Sequence, residues 1–88
     1  MIRRHVTVSG RVQGVFFRET CRRESLSYGV AGWVRNRADG SVEAVLEGET
    51  DAVEQVLAWM RSGPSHAVVA DVEARPEEPT GERGFTVR

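Results

Sequence analysis

The sequence contains no lysine, only one cysteine and no long apolar run. Cys21 alone excludes an internal disulfide framework and a zinc site built from cysteines. The basic residues 1–5 look like the start of a signal peptide, but polar residues then interrupt every second position. No stretch approaches the roughly 18 consecutive apolar residues of a membrane-spanning helix. We therefore expect a cytoplasmic protein with no membrane segment.

Aromatic residues are also few, at 7% of 88 residues, whereas hydrophobic residues make up 40% and charged residues 28%. This length and composition predict one globular domain over residues 1–88, with a small core. A small core leaves little material for a deep pocket. We therefore expect a shallow site made of backbone and a few polar groups.

The charges are unevenly distributed although the net charge is only −1. Residues 1–37 contain eight arginines and two acidic residues, whereas residues 38–88 contain four arginines and eleven acidic residues. Charge alone leaves two interpretations open. The charges form solvated faces, or the first 37 residues build a site for an anion.

The spacing of apolar residues predicts both strands and helices. Ile2, Val6 and Val8 share one parity in an alternating segment, which indicates a half-buried strand. Four residues at i, i+3, i+4 and i+7 indicate an amphipathic helix: Val53, Val56, Leu57 and Met60. These signals predict strands over 2–12, 30–37, 41–47, 68–75 and 85–88, and helices over 17–28 and 51–62.

Several local expectations follow from the same patterns. The first helix carries four residues at helical spacing: Phe17, Cys21, Ser25 and Tyr28. The fourth strand carries four apolar residues of one parity: Val68, Ala70, Val72 and Ala74. Thr50 is expected to cap the second helix. Glu77 and Glu78 are expected in a solvated turn flanked by Pro76 and Pro79.

The element order β-α-β-β-α-β predicts an α+β fold. One apolar face per element is enough for a two-layer sandwich, with two helices on one face of a mostly antiparallel sheet. Right-handed crossovers then favour the ferredoxin-like split βαβ arrangement. In that arrangement the first two strands flank the third and run in the same direction, so the 10–18 loop and Asn36 reach one edge. This fold hosts many functions and does not by itself indicate one.

Residues 10–18 form a glycine-containing loop that leaves a strand and opens a helix. Backbone N–H groups at such a junction are unpaired and can converge on an anion. Gly14 lacks a Cβ that would hinder close approach, and Arg18 can donate to phosphate oxygens. The alternative is a tight turn whose glycines serve the backbone alone. A nucleotide-hydrolysing P-loop is disfavoured because the Gly-Lys-Ser/Thr ending is missing.

Two segments resemble the signatures of the acylphosphatase family. The first is matched at seven positions: Gly10, Val12, Gln13, Gly14, Val15, Phe17 and Arg18. The second is matched by Gly-Trp-Val-Arg-Asn at 32–36 and by three later positions: Gly40, Val42 and Gly48. The resemblance covers nearly the whole chain. It implies hydrolysis of the carboxyl-phosphate bond in a small-molecule acyl phosphate, with no metal or cofactor.

The resemblance also implies roles for single residues. Arg18 matches the arginine that binds the substrate phosphate, and Asn36 matches the asparagine that orients the attacking water. Backbone amides would form the phosphate cradle, from five substrate-binding residues: Gln13, Gly14, Val15, Phe16 and Phe17. Of the two phenylalanines, one is expected to pack and the other to border the substrate.

Other residues that could act as nucleophiles or metal ligands give no comparable indication of a function. Cys21 is expected in the core, because no Cys-x5-Arg phosphatase loop surrounds it. His5 and His66 have no partners at metal-ligand spacing. RNA binding, a function of the same fold, needs aromatic residues on the open sheet face, and the third strand has none. A non-catalytic phosphate sensor or an accessory domain is a further alternative. We expect a monomer without nucleic-acid or membrane partners.

Overall fold

The computed structural model describes all 88 residues. Five strands and two helices follow in the predicted order: β1 (Ile2–Arg11), α1 (Phe17–Ser27), β2 (Ala31–Asn36), β3 (Val42–Gly48), α2 (Thr50–Ser62), β4 (Val68–Glu77) and β5 (Phe85–Val87). The short last strand is therefore confirmed. Neither helix is long and apolar enough to cross a membrane.

The sheet has β3 at its centre, in the order β4-β1-β3-β2-β5. β3 pairs antiparallel with both β1 and β2, β4 pairs antiparallel with β1, and β5 pairs parallel with β2. Because β1 and β2 both run opposite to β3, they run in the same direction. Their last residues, Arg11 and Asn36, therefore reach the same edge. The expected ferredoxin-like α+β fold is confirmed.

One hydrophobic core lies between the sheet and the helices. Val6 and Val8 of β1 and Leu46 of β3 are fully buried in it. The predicted stripe of α2 is buried in the same core: Val53, Val56, Leu57 and Met60. From α1, the Phe17 ring packs at an angle against Trp59 of α2, with 5.1 Å between ring centroids. This aromatic pair joins the two helices into one layer.

β4 does not show the predicted apolar parity along its whole length. Val68 is 64% exposed and Ala70 is also exposed, whereas Val69 packs against the core. Further along the strand, Val72 and Ala74 pack against the core as predicted. The inward-facing parity changes within the strand, so the prediction is wrong for its first half.

A β-bulge between β1 and β4 explains this change. Ser9 pairs with Asp71 and Gly10 with Val69, so the intervening Ala70 has no partner on β1. One extra residue on a strand changes which side chains face the core beyond it. Gly10 has a φ of 119°, and a Cβ there would lie 2.7 Å from the backbone nitrogen of Ala70. The bulge therefore requires glycine at this position.

Three further local predictions are wrong. Tyr28 is 44% exposed because α1 ends before it and the helical spacing no longer applies. Thr50 is the first residue of α2 rather than its cap, because the helix begins after Glu49, whose side chain makes no capping hydrogen bond. Glu77 belongs to β4 rather than to a turn, and its carboxylate accepts a hydrogen bond of 2.9 Å from Arg3 Nε.

Glu47 is a buried carboxylate on the face of β3 that points away from the helices, and its side chain is 1% exposed. It accepts four hydrogen bonds: from the amides of Thr80, Gly81 and Glu82 at 2.8–2.9 Å and from the Arg3 guanidinium at 3.2 Å. Burial by itself raises the pKa of Glu47, but these donors outweigh it and hold the pKa below its usual value. Glu47 thereby anchors the segment that leads into β5.

We expect Glu47→Gln to lower the free energy of unfolding by about 2 kcal/mol at neutral pH, because these charge-assisted hydrogen bonds are lost or weakened. The folded-state pKa lies below the unfolded value of about 4.3. The stabilisation is therefore present above that pH and is lost as the pH falls through the folded-state pKa. Urea denaturation at neutral pH and in acid measures the difference.

Glu54→Gln on the exposed face of α2 is the matched control for this variant. An equal loss of stability in both variants would contradict the anchoring role of Glu47. So would a loss in Glu47→Gln that stays undiminished in acid.

Candidate active site

The junction between β1 and α1 leaves a row of backbone amides free. None of the N–H groups from Gln13 to Phe17 donates to a carbonyl or side chain of the protein. Gly14 and Phe16 have positive φ angles of 74° and 64°. A Cβ at position 14 would meet no atom within 4 Å, so glycine is favoured there for its backbone angle, not for space. Consecutive free amides in such a turn attract an anion.

Arg18 adds a positive charge that no acidic side chain neutralises. It lies in the first turn of α1 and is half-buried. Its neighbours on the helix are paired instead, because Arg22 and Arg23 lie 2.7 and 3.5 Å from Glu19 Oε1. The hydrogen bond from Arg22 lowers the pKa of Glu19. The Arg18 guanidinium is therefore available to a ligand.

Asn36 is the last residue of β2 and pairs with Val42 of β3. Its side-chain oxygen Oδ1 is buried and accepts no hydrogen bond from the protein. Buried polar atoms without a partner are uncommon, and each one calls for an explanation such as a bound water or ligand. Asn36 and Arg18 line the same cleft, which has a volume of about 430 Å³. The structure thus brings the two predicted catalytic residues together.

Five of the seven predicted site residues line this cleft: Gly14, Phe16, Phe17, Arg18 and Asn36. Phe17 is 1% exposed and packs in the core, whereas Phe16 is 80% exposed. The side chain of Val15 is buried in the core, and that of Gln13 bonds to the β2–β3 hairpin. Only the backbone amides of these last two residues are available to the site.

The side chain of Gln13 makes a contact that the sequence did not indicate. Its Nε2 donates to the backbone oxygens of Arg37 at 2.8 Å and Ser41 at 2.9 Å. Arg37 and Ser41 close the β2–β3 hairpin through their own backbone hydrogen bond of 2.8 Å. Because Asn36 directly precedes Arg37, Gln13 holds the amide-bearing loop in place relative to Asn36. No local pattern reports a contact between residues this far apart in the chain.

β5 adds a second residue that the sequence did not indicate. Val87 lines the cleft and is 39% exposed. Its strand pairs parallel with β2, which carries Asn36. Only the folded sheet brings this C-terminal residue to the loop near the start of the chain.

A family model described as Acylphosphatase matches residues 4–87. The chain belongs to the acylphosphatase family. It is 57% identical to an acylphosphatase of Roseiflexus sp. (strain RS-1) over 88 residues, and this alignment covers 99% of this chain and 95% of that relative. It also resembles the solved acylphosphatase from Bacillus subtilis, with a TM-score of 0.96, 32% identity and coverage of 100% and 99% of the two chains. It is also similar to the solved acylphosphatase from Coxiella burnetii, with a TM-score of 0.95 and 40% identity over 99% of this chain and 92% of that chain.

As a member of this family, the protein is a hydrolase of the carboxyl-phosphate bond in acyl phosphates. The other reactive groups of the chain do not line the cleft. Cys21 is fully buried, and burial raises the pKa of its thiol to about 12. The thiol therefore stays protonated at neutral pH and is no nucleophile. His5 Nε2 lies within hydrogen-bond distance of Glu43 Oε2, at 2.6 Å, and His66 is exposed. No three His, Cys, Asp or Glu side chains lie together as metal ligands.

Inorganic phosphate is expected to bind at the strand–helix junction. In a titration followed by NMR, the amide signals of Gln13 to Phe17 should shift most strongly. Arg18→Ala should weaken phosphate binding about tenfold or more, because a charge-assisted hydrogen bond contributes roughly 1.5–3 kcal/mol. Arg61→Ala, at an exposed position on α2, is the matched control. The largest shifts elsewhere, or unchanged affinity in Arg18→Ala, would place the anion site outside this junction.

Proposed function

We propose that the acylphosphatase reaction proceeds by in-line attack of water on phosphorus, in the cleft shared by Arg18 and Asn36. Arg18 and the amides of residues 13–17 bind the phosphoryl oxygens, and the Asn36 side chain orients the water. One observation carries the proposal. A guanidinium without an acidic partner, a row of free amides and an unpartnered buried amide oxygen meet around a single cleft.

The proposed reaction needs little beyond positioning and charge stabilisation. A carboxylate is a good leaving group, so no strong general acid is required. Charge in the transition state lies on the equatorial phosphoryl oxygens, which is where the loop amides and the guanidinium would donate hydrogen bonds. Each charge-assisted hydrogen bond contributes roughly 1.5–3 kcal/mol. One arginine and several amides therefore account for a large part of the acceleration.

In the proposed mechanism the substrate's own phosphate accepts the proton of the attacking water. Glu19 is the one carboxylate that lines the cleft, and its hydrogen bond from Arg22 lowers its pKa. A carboxylate with a lowered pKa is a weak base at neutral pH. The amide of Asn36 does not ionise, so it can orient the water but not deprotonate it.

The proposed activity requires one domain and a small-molecule substrate. Residues 1–88 are proposed to act as one independent domain, which is supported by their match to 95% of the Roseiflexus relative. Nucleic acid is not a proposed partner, because β3 carries no aromatic residue on which a base could stack. The monomeric state and the cytoplasmic location stay predictions.

The purified protein is expected to hydrolyse benzoyl phosphate and acetyl phosphate at rates that EDTA does not change. Arg18→Ala should lower kcat/KM about 100-fold or more and weaken inhibition by inorganic phosphate, because it removes a donor to the developing charge. Asn36→Ala should lower kcat by a similar factor with little change in phosphate inhibition, because it acts on the water. Circular dichroism checks that both variants fold. Full activity in Asn36→Ala would exclude the water-orienting role.

Gln13→Met is expected to lower kcat about tenfold through a displaced Asn36, since small misplacements of reacting groups have large effects on rate. Phosphate inhibition should change less. In an Asn36→Ala background the same substitution should lower kcat no further, because the residue that Gln13 positions is gone. Gln55→Met on the exposed face of α2 is the matched control. Fully additive losses in the double variant would show that Gln13 does not act through Asn36.

A further inference from the structure

The cleft is larger than a phosphoryl group and is lined by two kinds of residue. Gly14, Arg18 and Asn36 contribute polar groups, whereas Phe16 and Val87 add apolar surface to the same cleft of about 430 Å³. The proposed mechanism uses the polar groups and none of the apolar side chains. The apolar side chains have no part in binding a phosphate, so their position in the cleft needs another explanation.

Phe16 is unusual in both exposure and backbone conformation. Its side chain is 80% exposed, although the adjacent Phe17 is buried. Its backbone lies in the left-handed region, with φ 64° and ψ 24°, which is rare for a bulky residue without a special reason. Strained residues of this kind cluster at ligand-binding sites. With this backbone conformation, the Phe16 ring lies outside the core and lines the cleft.

Val87 reaches the same cleft from the other end of the chain. It pairs with Val34 of β2, two residues before Asn36, and the following Arg88 amide donates to the Val34 oxygen at 2.8 Å. Six large hydrophobic residues of the chain are exposed: Met1, Phe16, Leu26, Tyr28, Val68 and Val87. Of these six, only Phe16 and Val87 line the cleft. Two segments that are far apart in the chain thus bring exposed apolar side chains to the cleft that Arg18 and Asn36 also line.

We propose that Phe16 and Val87 form an acyl subsite, which selects acyl phosphates with an apolar and preferably aromatic acyl group over acetyl phosphate. The inference rests on the proposed function, because it requires the phosphoryl group to be held by Arg18 and the loop amides. With the phosphate there, the acyl group extends along the remaining part of the cleft. An aromatic acyl group gains contact with the Phe16 ring and Val87, whereas an acetyl group is too short to do so.

The test compares kcat/KM for benzoyl phosphate with kcat/KM for acetyl phosphate in each variant. Using the ratio relative to wild type removes the difference in intrinsic reactivity between the two substrates. Phe16→Gly removes the ring and still permits the positive φ angle, and Phe16→Tyr keeps the ring. Val87→Thr keeps the shape of the side chain but makes it polar. Val68→Thr, on the opposite edge strand, is the matched control.

We expect the benzoyl-to-acetyl ratio to fall about tenfold in Phe16→Gly and about threefold in Val87→Thr, in line with the small energies of apolar pockets. The ratio should stay within about twofold of wild type in Phe16→Tyr and in Val68→Thr. Inhibition by inorganic phosphate, measured on the same samples, reports whether the cradle is intact. Circular dichroism reports whether each variant is folded.

Two different failures can be told apart. If wild type hydrolyses both substrates and phosphate inhibits it, but Phe16→Gly and Val87→Thr keep the wild-type ratio, the acyl subsite is wrong and the proposed function stands. If Arg18→Ala is inhibited by phosphate as strongly as wild type, the proposed function fails and the acyl subsite fails with it.

Discussion

The antiparallel pairing of β3 with both β1 and β2 is the constraint on which the site depends. It makes the two flanking strands run in the same direction, about 10 Å apart across two strand spacings. The amide-bearing loop continues from β1 and Asn36 ends β2, so both arise at one edge of the sheet. Gln13 then ties the loop to the β2–β3 hairpin. The geometry of the proposed site is therefore a property of the sheet and not of either motif alone.

The same central strand uses part of the charge on both halves of the chain. β3 is buried along its whole length, so its carboxylates require partners. Arg3 pairs with Glu47 and Arg35 pairs with Glu43, each across the boundary between the basic and the acidic parts of the chain. Arg18 has no such partner. Two arginines of the basic part thus neutralise carboxylates of the sheet, whereas Arg18 lines the cleft without an acidic partner.

Most of the fold could be predicted because each element has its own periodic apolar pattern, and two motifs located Arg18 and Asn36. A prediction is wrong where a residue distant in the chain determines the local structure. The parity of β4 changes at Ala70 because Gly10 on another strand allows a bulge there. No alternation within residues 68–75 contains that information. Tyr28 was misplaced for a simpler reason, since the periodicity did not show where α1 ends.

The sequence by itself determined the order of the elements, the family and the identity of the residues at the strand–helix junction. These follow from local spacing and from side-chain chemistry, which are properties of neighbouring residues. Only the tertiary structure decided that Gln13 holds the hairpin, that Val87 joins Phe16 at the cleft, and that Arg18 lies at this cleft without an acidic partner. The physical reason is that such contacts join residues distant in the chain, whose meeting depends on strand order, register and bulges.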